Sequence, residues 1–325
     1  MSLTSIDAAP DTEDRESRAF RLLAGEDLPR GLRRVASTQL AASAERLRAA
    51  PPGERVEAVH EARKSLKRER ALLRLVRGAL DADAFKSEDA RMRDIGRALA
   101  AARDAEVMLA TLQGLLSDQL PDLLDESSPH TRDAVVALLA RLHADAARER
   151  EALERGNIEE VAGLLGQSVA RVPDWAPSER HFKAIAPGLI AVYARGREER
   201  RRARRKPDDD ERLHDWRKSV KYLRHCAEVL EPLRPGGLGR TAATARRLGD
   251  VLGEHHDLAV LRELAAASDG EDLAPLLAGI DVRREELARE AFALGAELYA
   301  RPPERFALSV RRGWRRHSRR GVLEG

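Results

Sequence analysis

The chain has 325 residues, enough for two units of ordinary domain size, each able to bury a core of its own. With 42% hydrophobic and 35% charged residues, rich in Ala, Leu, Arg and Glu, it reads as long charged helices and argues against a strand-rich or membrane-spanning protein. Cys226 is the single cysteine, which excludes an intrachain disulfide and suits a reducing cytoplasm, and the net charge of +3 hides 58 basic and 55 acidic residues sorted onto different helices.

Met1 to Arg18 is polar and acidic, without the apolar run of a signal peptide, and residues 1–27 read as a poorly ordered lead-in. Helical periodicity then predicts Leu28 to Ala49, Glu54 to Leu80, Ala84 to Ser117, and Thr131 to Arg155 with a shorter follower. Pro51-Pro52-Gly53, Pro121, Ser128-Pro129 and Gly156-Asn157 are the breaks. The pattern stops around Val172 to Pro177. A second series follows over Ser178 to Arg205, Asp209 to Leu230, Leu238 to Ala267 and Asp272 to Tyr299, closed by a basic tail helix from Pro303 to Arg320. The expected domains are a first helical bundle at 28–172, a linker at 173–177 and a second bundle at 178–325.

An internal repeat supports that division. Val59-His60-Glu61-Ala62-Arg63-Lys64-Ser65-Leu66-Lys67 aligns with Leu213-His214-Asp215-Trp216-Arg217-Lys218-Ser219-Val220-Lys221, and Arg70 continues onto Arg224, at a constant offset of 154 (214 minus 60). Downstream, Arg93, Ile95-Gly96, Leu99 and Arg103-Asp104 align with Arg246, Leu248-Gly249, Leu252 and His256-Asp257, at an offset of 153 (256 minus 103). Two helices and the loop between them therefore recur, which implies duplication into two similar helical bundles.

At about 100° per residue, His60, Arg63, Lys64, Lys67, Arg70 and Arg74 occupy roughly one third of a helix circumference. The neighbouring arc, Val59, Ala62, Leu66, Leu73 and Leu80, is apolar. The second half repeats the division, with His214, Arg217, Lys218, Lys221 and Arg224 beside Leu213, Trp216, Val220, Leu223 and Ala227. Charge runs are commonly solvated faces. These stripes instead stack like charges at i,i+4, which is mildly destabilising and leads to the expectation of an anionic ligand.

A long, multiply anionic ligand read by charge rather than shape fits best, and phosphate chains meet that description. Arg supplies a planar fork, Lys a mobile point charge, and His a proton that an adjacent anion can draw in. Aromatic residues are only 3% of the chain and Asn157 is its sole asparagine, so both base-stacking platforms and amide readers of base edges are scarce. Base-specific nucleic-acid binding is therefore not expected.

Other constellations are weaker. His255-His256-Asp257, with His225 upstream, loosely resembles a metal-dependent HD phosphohydrolase site, but a dication among so many Lys and Arg is electrostatically disfavoured. Adjacent His60-Glu61 and His214-Asp215 point about 100° apart and form no dyad. Ser65, Ser219 and Cys226 read as packing residues, and no Gly-rich phosphate loop occurs. No catalytic residue, metal site or cofactor is expected, a divalent cation entering only as a counterion of the ligand. For the basic tail Arg311 to Arg320, folding onto the stripes and contact with a partner both stay open.

The two His-x-x-Arg-Lys-x-x-Lys motifs, Lys221-Tyr222-Leu223-Arg224, and the downstream Arg103-Asp104 and His256-Asp257 resemble the CHAD family, the conserved histidine alpha-helical domain, from about Leu28 to Arg320. The resemblance implies an all-α fold of two antiparallel four-helix bundles related by a pseudo-twofold axis, with a basic central pore or groove that binds inorganic polyphosphate. It implies location at polyphosphate granules in the cytoplasm. By the same resemblance the binding residues are His60, Arg63, Lys64, Lys67 and Arg70, with His214, Arg217, Lys218, Lys221 and Arg224. Arg74, Arg103, His256, Arg195 and Arg197 are added to them. Arg103 stands where the second half has His256, and Ala100 where it has Gly253, so the halves depart from strict equivalence. The expected function is non-catalytic binding of polyphosphate. The alternatives are a phosphohydrolase using His255, His256 and Asp257, and an adaptor for nucleic acid or an acidic partner.

Overall fold

The computed structural model describes residues 19–23, 26–99, 101–120, 127–156, 158–175, 181–268 and 272–323, with side chains placed except at 101–103, 119 and 317–323. Eleven α-helices and no strand occur among the described residues. They are α1 (Leu28–Ala49), α2 (Arg55–Val76), α3 (Ala82–Ala98), α4 (Ala101–Gly114), α5 (Pro129–Arg155), α6 (Ile158–Trp175), α7 (Ala186–Arg205), α8 (Asp210–Val229), α9 (Pro235–Ala266), α10 (Ala274–Leu298) and α11 (Pro303–Leu323). None is long and apolar enough to cross a membrane.

Starts are set by local chemistry. Asp27, Asp81, Ser128 and Asp209 each cap a helix by accepting backbone N–H groups of the first turn, and Pro29 and Pro129 stand inside the first turn, where a missing donor costs nothing. Asp209 thus fixes where α8, the carrier of the second stripe, begins.

The expected single helix from Ala84 to Ser117 is two helices, α3, which ends at Ala98 with Leu99 as its cap, and α4, which is described from Ala101. The cause is tertiary. The Arg63 guanidinium donates to the Leu99 carbonyl at 2.9 Å, offering that oxygen a partner other than a continuing helix. The expected linker at 173–177 likewise starts too early, because α6 runs through Pro173 to Trp175, whose indole is buried. Part of the expected lead-in is packed on the fold: Phe20 and Leu22 are buried and the Leu22 N–H donates to the Val229 carbonyl at the end of α8.

One apolar core runs through both halves, with Leu32 and Leu40 of α1, Leu72 and Leu73 of α2, Trp216 and Leu223 of α8, and Leu248 of α9. Within the first half α1 packs on α2 and α6, and α4 on α5. In the second, α8 packs on α7 and α9, and α9 on α10. Across the halves α2 lies against α8 and α7, and α4 against α9. Gly188 permits the α2–α7 approach, since a Cβ there would collide with the Leu75 carbonyl.

Candidate functional site

The motif helices α2 and α8 pack on each other, so the two basic stripes adjoin. Their apolar arcs are where periodicity put them: Val59, Ala62, Leu66 and Leu73 are buried on α2, and Leu213, Trp216, Val220, Leu223 and Ala227 on α8. The cationic residues sit at the margin of that burial, half-exposed apart from exposed Lys67 and Lys218.

Lys221 marks the centre. Burial pushes its ammonium down to about 7, Arg217 and Lys67 add repulsion, and Asp257 and Asp250 offset only part of it. It borders a cleft of about 490 Å³ between α4, α8 and α9, whose walls carry Arg217 together with Asp118, Asp250, Glu254 and Asp257. That cleft carries both signs of charge. Nearby, the His214 and His256 rings lie 4.3 Å apart, centroid to centroid. Burial, with His256, Lys218 and Arg217 adding to it, pushes His214 down to about 4, and burial with Arg217 lowers His256. Both imidazoles are therefore pushed toward the neutral form.

The expected uncompensated repulsion along each stripe is largely absent, because carboxylates of the chain itself neutralise it. Arg63 pairs with Asp104 at 3.3 Å and Lys64 with Glu61 at 3.2 Å, while His60 lies 4.0 Å from Glu61. Arg70 and Arg74 both grip Asp89 of α3 at 2.8 Å. Burial pushes the Asp89 carboxyl up, yet these two guanidiniums overcome it and hold the group at about 2. Arg74 also lies over the Tyr222 ring of α8, 3.9 Å from its centroid, a cation–π contact joining the two halves. On α8, Arg217 approaches Asp257 at 3.7 Å, Lys218 pairs with Asp215 at 2.6 Å and Arg224 with Glu228 at 2.7 Å.

The repeat survives in three dimensions. Arg63 of α2 reaches Asp104 of α4, and its counterpart Arg217 of α8 reaches Asp257 of α9. The surroundings differ: Arg63 donates to the Leu99 carbonyl at a helix break, whereas Arg217 lies over Gly253 within continuous α9.

The family model of the CHAD domain matches residues 27–266. The chain belongs to the CHAD domain family. The crystal structure of the CHAD domain from the plant Ricinus communis is similar over 91% of this chain and 92% of that one, with a TM-score of 0.52 at 18% identity. At that identity the likeness concerns the fold. No curated protein sequence matches the chain.

Within this CHAD domain the remaining expected residues take separate places. Arg195 pairs with buried Glu199 at 2.6 Å. Arg197 is exposed near the phenol of Tyr193, together with Arg301. The Arg103 side chain lies outside the described residues. The His255-His256-Asp257 constellation diverges: the His256 ring lies against that of His214 at a tilt of 38°, whereas buried His255 turns to Asp210, 4.0 Å away, in a second cleft with Arg284. Among the described residues no group of three or more His, Cys, Asp or Glu is arranged to hold a metal ion. The tail helix α11 packs on α7 and on the turn at Glu231–Leu233. Asp89 carried no motif signal. Tyr222 was visible only as the neighbour of Lys221.

Proposed function

We propose that this CHAD domain binds inorganic polyphosphate and holds it without cleaving it. The observation that carries the reading is the packing of α2 on α8, which sets Lys67 close enough to Lys221 to depress its proton affinity. Cations crowded at a half-buried surface stay partly unprotonated until a polyanion supplies the missing negative charge. His60, Arg63, Lys64, Lys67, Arg70 and Arg74 form one wall of the proposed site. His214, Arg217, Lys218, Lys221, Arg224 and His256 form the other. The carboxylates that pair with the arginines keep the empty site folded, and phosphoryl oxygens compete with them on binding.

We further read residues 28–172 and 178–325 as duplicated bundles related by a pseudo-twofold axis, supported by the matching Arg63–Asp104 and Arg217–Asp257 contacts. A storage or tethering role at cytoplasmic polyphosphate granules fits binding without hydrolysis. The test is binding of labelled long-chain polyphosphate at physiological salt, with single-stranded DNA as competitor. We expect binding that resists DNA, collapses in Lys67→Glu/Lys221→Glu, and leaves chain length unchanged after incubation with Mg²⁺. Easy displacement by DNA, or indifference to both substitutions, overturns the reading, and shortening of the chains with metal turns it into an enzyme.

A further inference from the structure

The stripes are not the only basic concentration. Arg234, at the entry to α9, is crowded by Arg240 of the same helix, by Arg301 from the turn between α10 and α11, and by Arg316 of α11. Among the described residues none of these four guanidiniums has a carboxylate within ion-pair distance, whereas nearly every stripe arginine has one. Arg234 instead donates to the Ser309 hydroxyl of α11 at 2.9 Å.

Three of the four line a cleft of about 200 Å³, a volume equal to roughly seven waters, which suits a short run of linked phosphoryl groups. No stripe residue lines it. Its walls are rigid: the Tyr193 hydroxyl donates to the Leu298 carbonyl at 3.0 Å and accepts from the Arg301 N–H at 3.3 Å, and the Tyr193 ring stacks on Phe306. Both rings are buried and offer no face for stacking a base. Glu297 is the acid on the rim, approached by the Thr244 hydroxyl at 3.4 Å. Gly237 leaves room for the Arg234 guanidinium over the first turn of α9, which has no side-chain cap.

We propose that this cleft, lined by Arg234, Arg240 and Arg301 with Arg316 beside Arg234, is a second, independent oxyanion site, taking an oligophosphate of the tripolyphosphate class. Guanidinium forks bind phosphoryl oxygens in pairs, and only a multiply charged ligand relieves four of them together. The site stands apart from the proposed stripe site and does not depend on it.

Tripolyphosphate titrated into the protein by calorimetry tests this. Two classes of site are expected in the wild type, and one of them persists in Lys67→Glu/Lys221→Glu. That class weakens about tenfold or more in Arg234→Ala/Arg301→Ala. Because Arg234→Ala also removes the Ser309 hydrogen bond, Arg240→Glu/Arg316→Glu, at exposed positions, is the second variant and is expected to lose the same class with an unchanged melting temperature. Prior saturation with long-chain polyphosphate separates the sources. A class still open to tripolyphosphate takes a free oligophosphate, and a class already filled takes part of the long chain. The absence of any class that survives Lys67→Glu/Lys221→Glu, or arginine variants that titrate as the wild type does, overturns the proposal.

Discussion

Replacing Lys221 by arginine separates charge from proton affinity at the centre of the site. In the empty protein the ammonium titrates at about 7, against an ordinary value of 10.5, because it is half-buried beside Arg217 and Lys67 with only Asp257 and Asp250 in compensation. A bound polyanion favours the protonated form and moves the group back toward its ordinary value, so binding takes up a proton. The sign follows: affinity is full below pH 7 and is lost as pH rises above it. If the whole shift is recovered, affinity falls by roughly 90-fold between pH 6 and pH 9, and by roughly thirtyfold if half is recovered. His214, held at about 4, leaves most of that window undisturbed. The assay is equilibrium binding of labelled polyphosphate at constant ionic strength across this range. Lys221→Arg, charged throughout, is expected to bind with little dependence on pH above 6.5. A wild-type affinity that stays level from pH 6 to pH 9 refutes the reasoning.

Glu69 is wholly buried, both its oxygens lack a hydrogen-bond partner among the described residues, and burial raises its pKa well above the ordinary value despite Arg68. Its repeat counterpart is buried Leu223, so Glu69→Leu is expected to stabilise the fold by on the order of 1–3 kcal/mol in thermal melts at pH 8. The wild type should lose stability as pH climbs above about 4.5, where the unfolded carboxyl ionises, and the variant should lack that loss. Asp89→Asn is expected to cost about 2 kcal/mol near neutrality, a difference that vanishes as pH falls through 2, and to strengthen polyphosphate binding by releasing Arg70 and Arg74. Weaker binding in that variant contradicts the assignment of those arginines. Gly188→Ala is expected to lift α7 from α2 and cost about 1–3 kcal/mol in denaturant melts, with no direct effect on the cations of the stripes.

The amino-acid sequence by itself determined most of the helices, the repeated motif and the content of the stripes. Apolar spacing and capping residues act within a turn or two, so α1 begins and ends where periodicity put it, and Asp209 announces α8. The constant offset between the motifs at His60 and His214 is legible without any knowledge of packing. Tertiary structure alone decided which charges remain. Asp89, Asp104 and Asp257 approach their arginines from other helices, and the break at Leu99 depends on a guanidinium 36 residues away. It also decided that His255 lines a cleft with Arg284 while His256 lies against His214, and that, among the described residues, the arginines gathered around Arg234 meet without a carboxylate. The physical reason is range. Helical periodicity is a property of neighbouring residues, while the charge state of a surface depends on what the fold brings within a few ångströms of it.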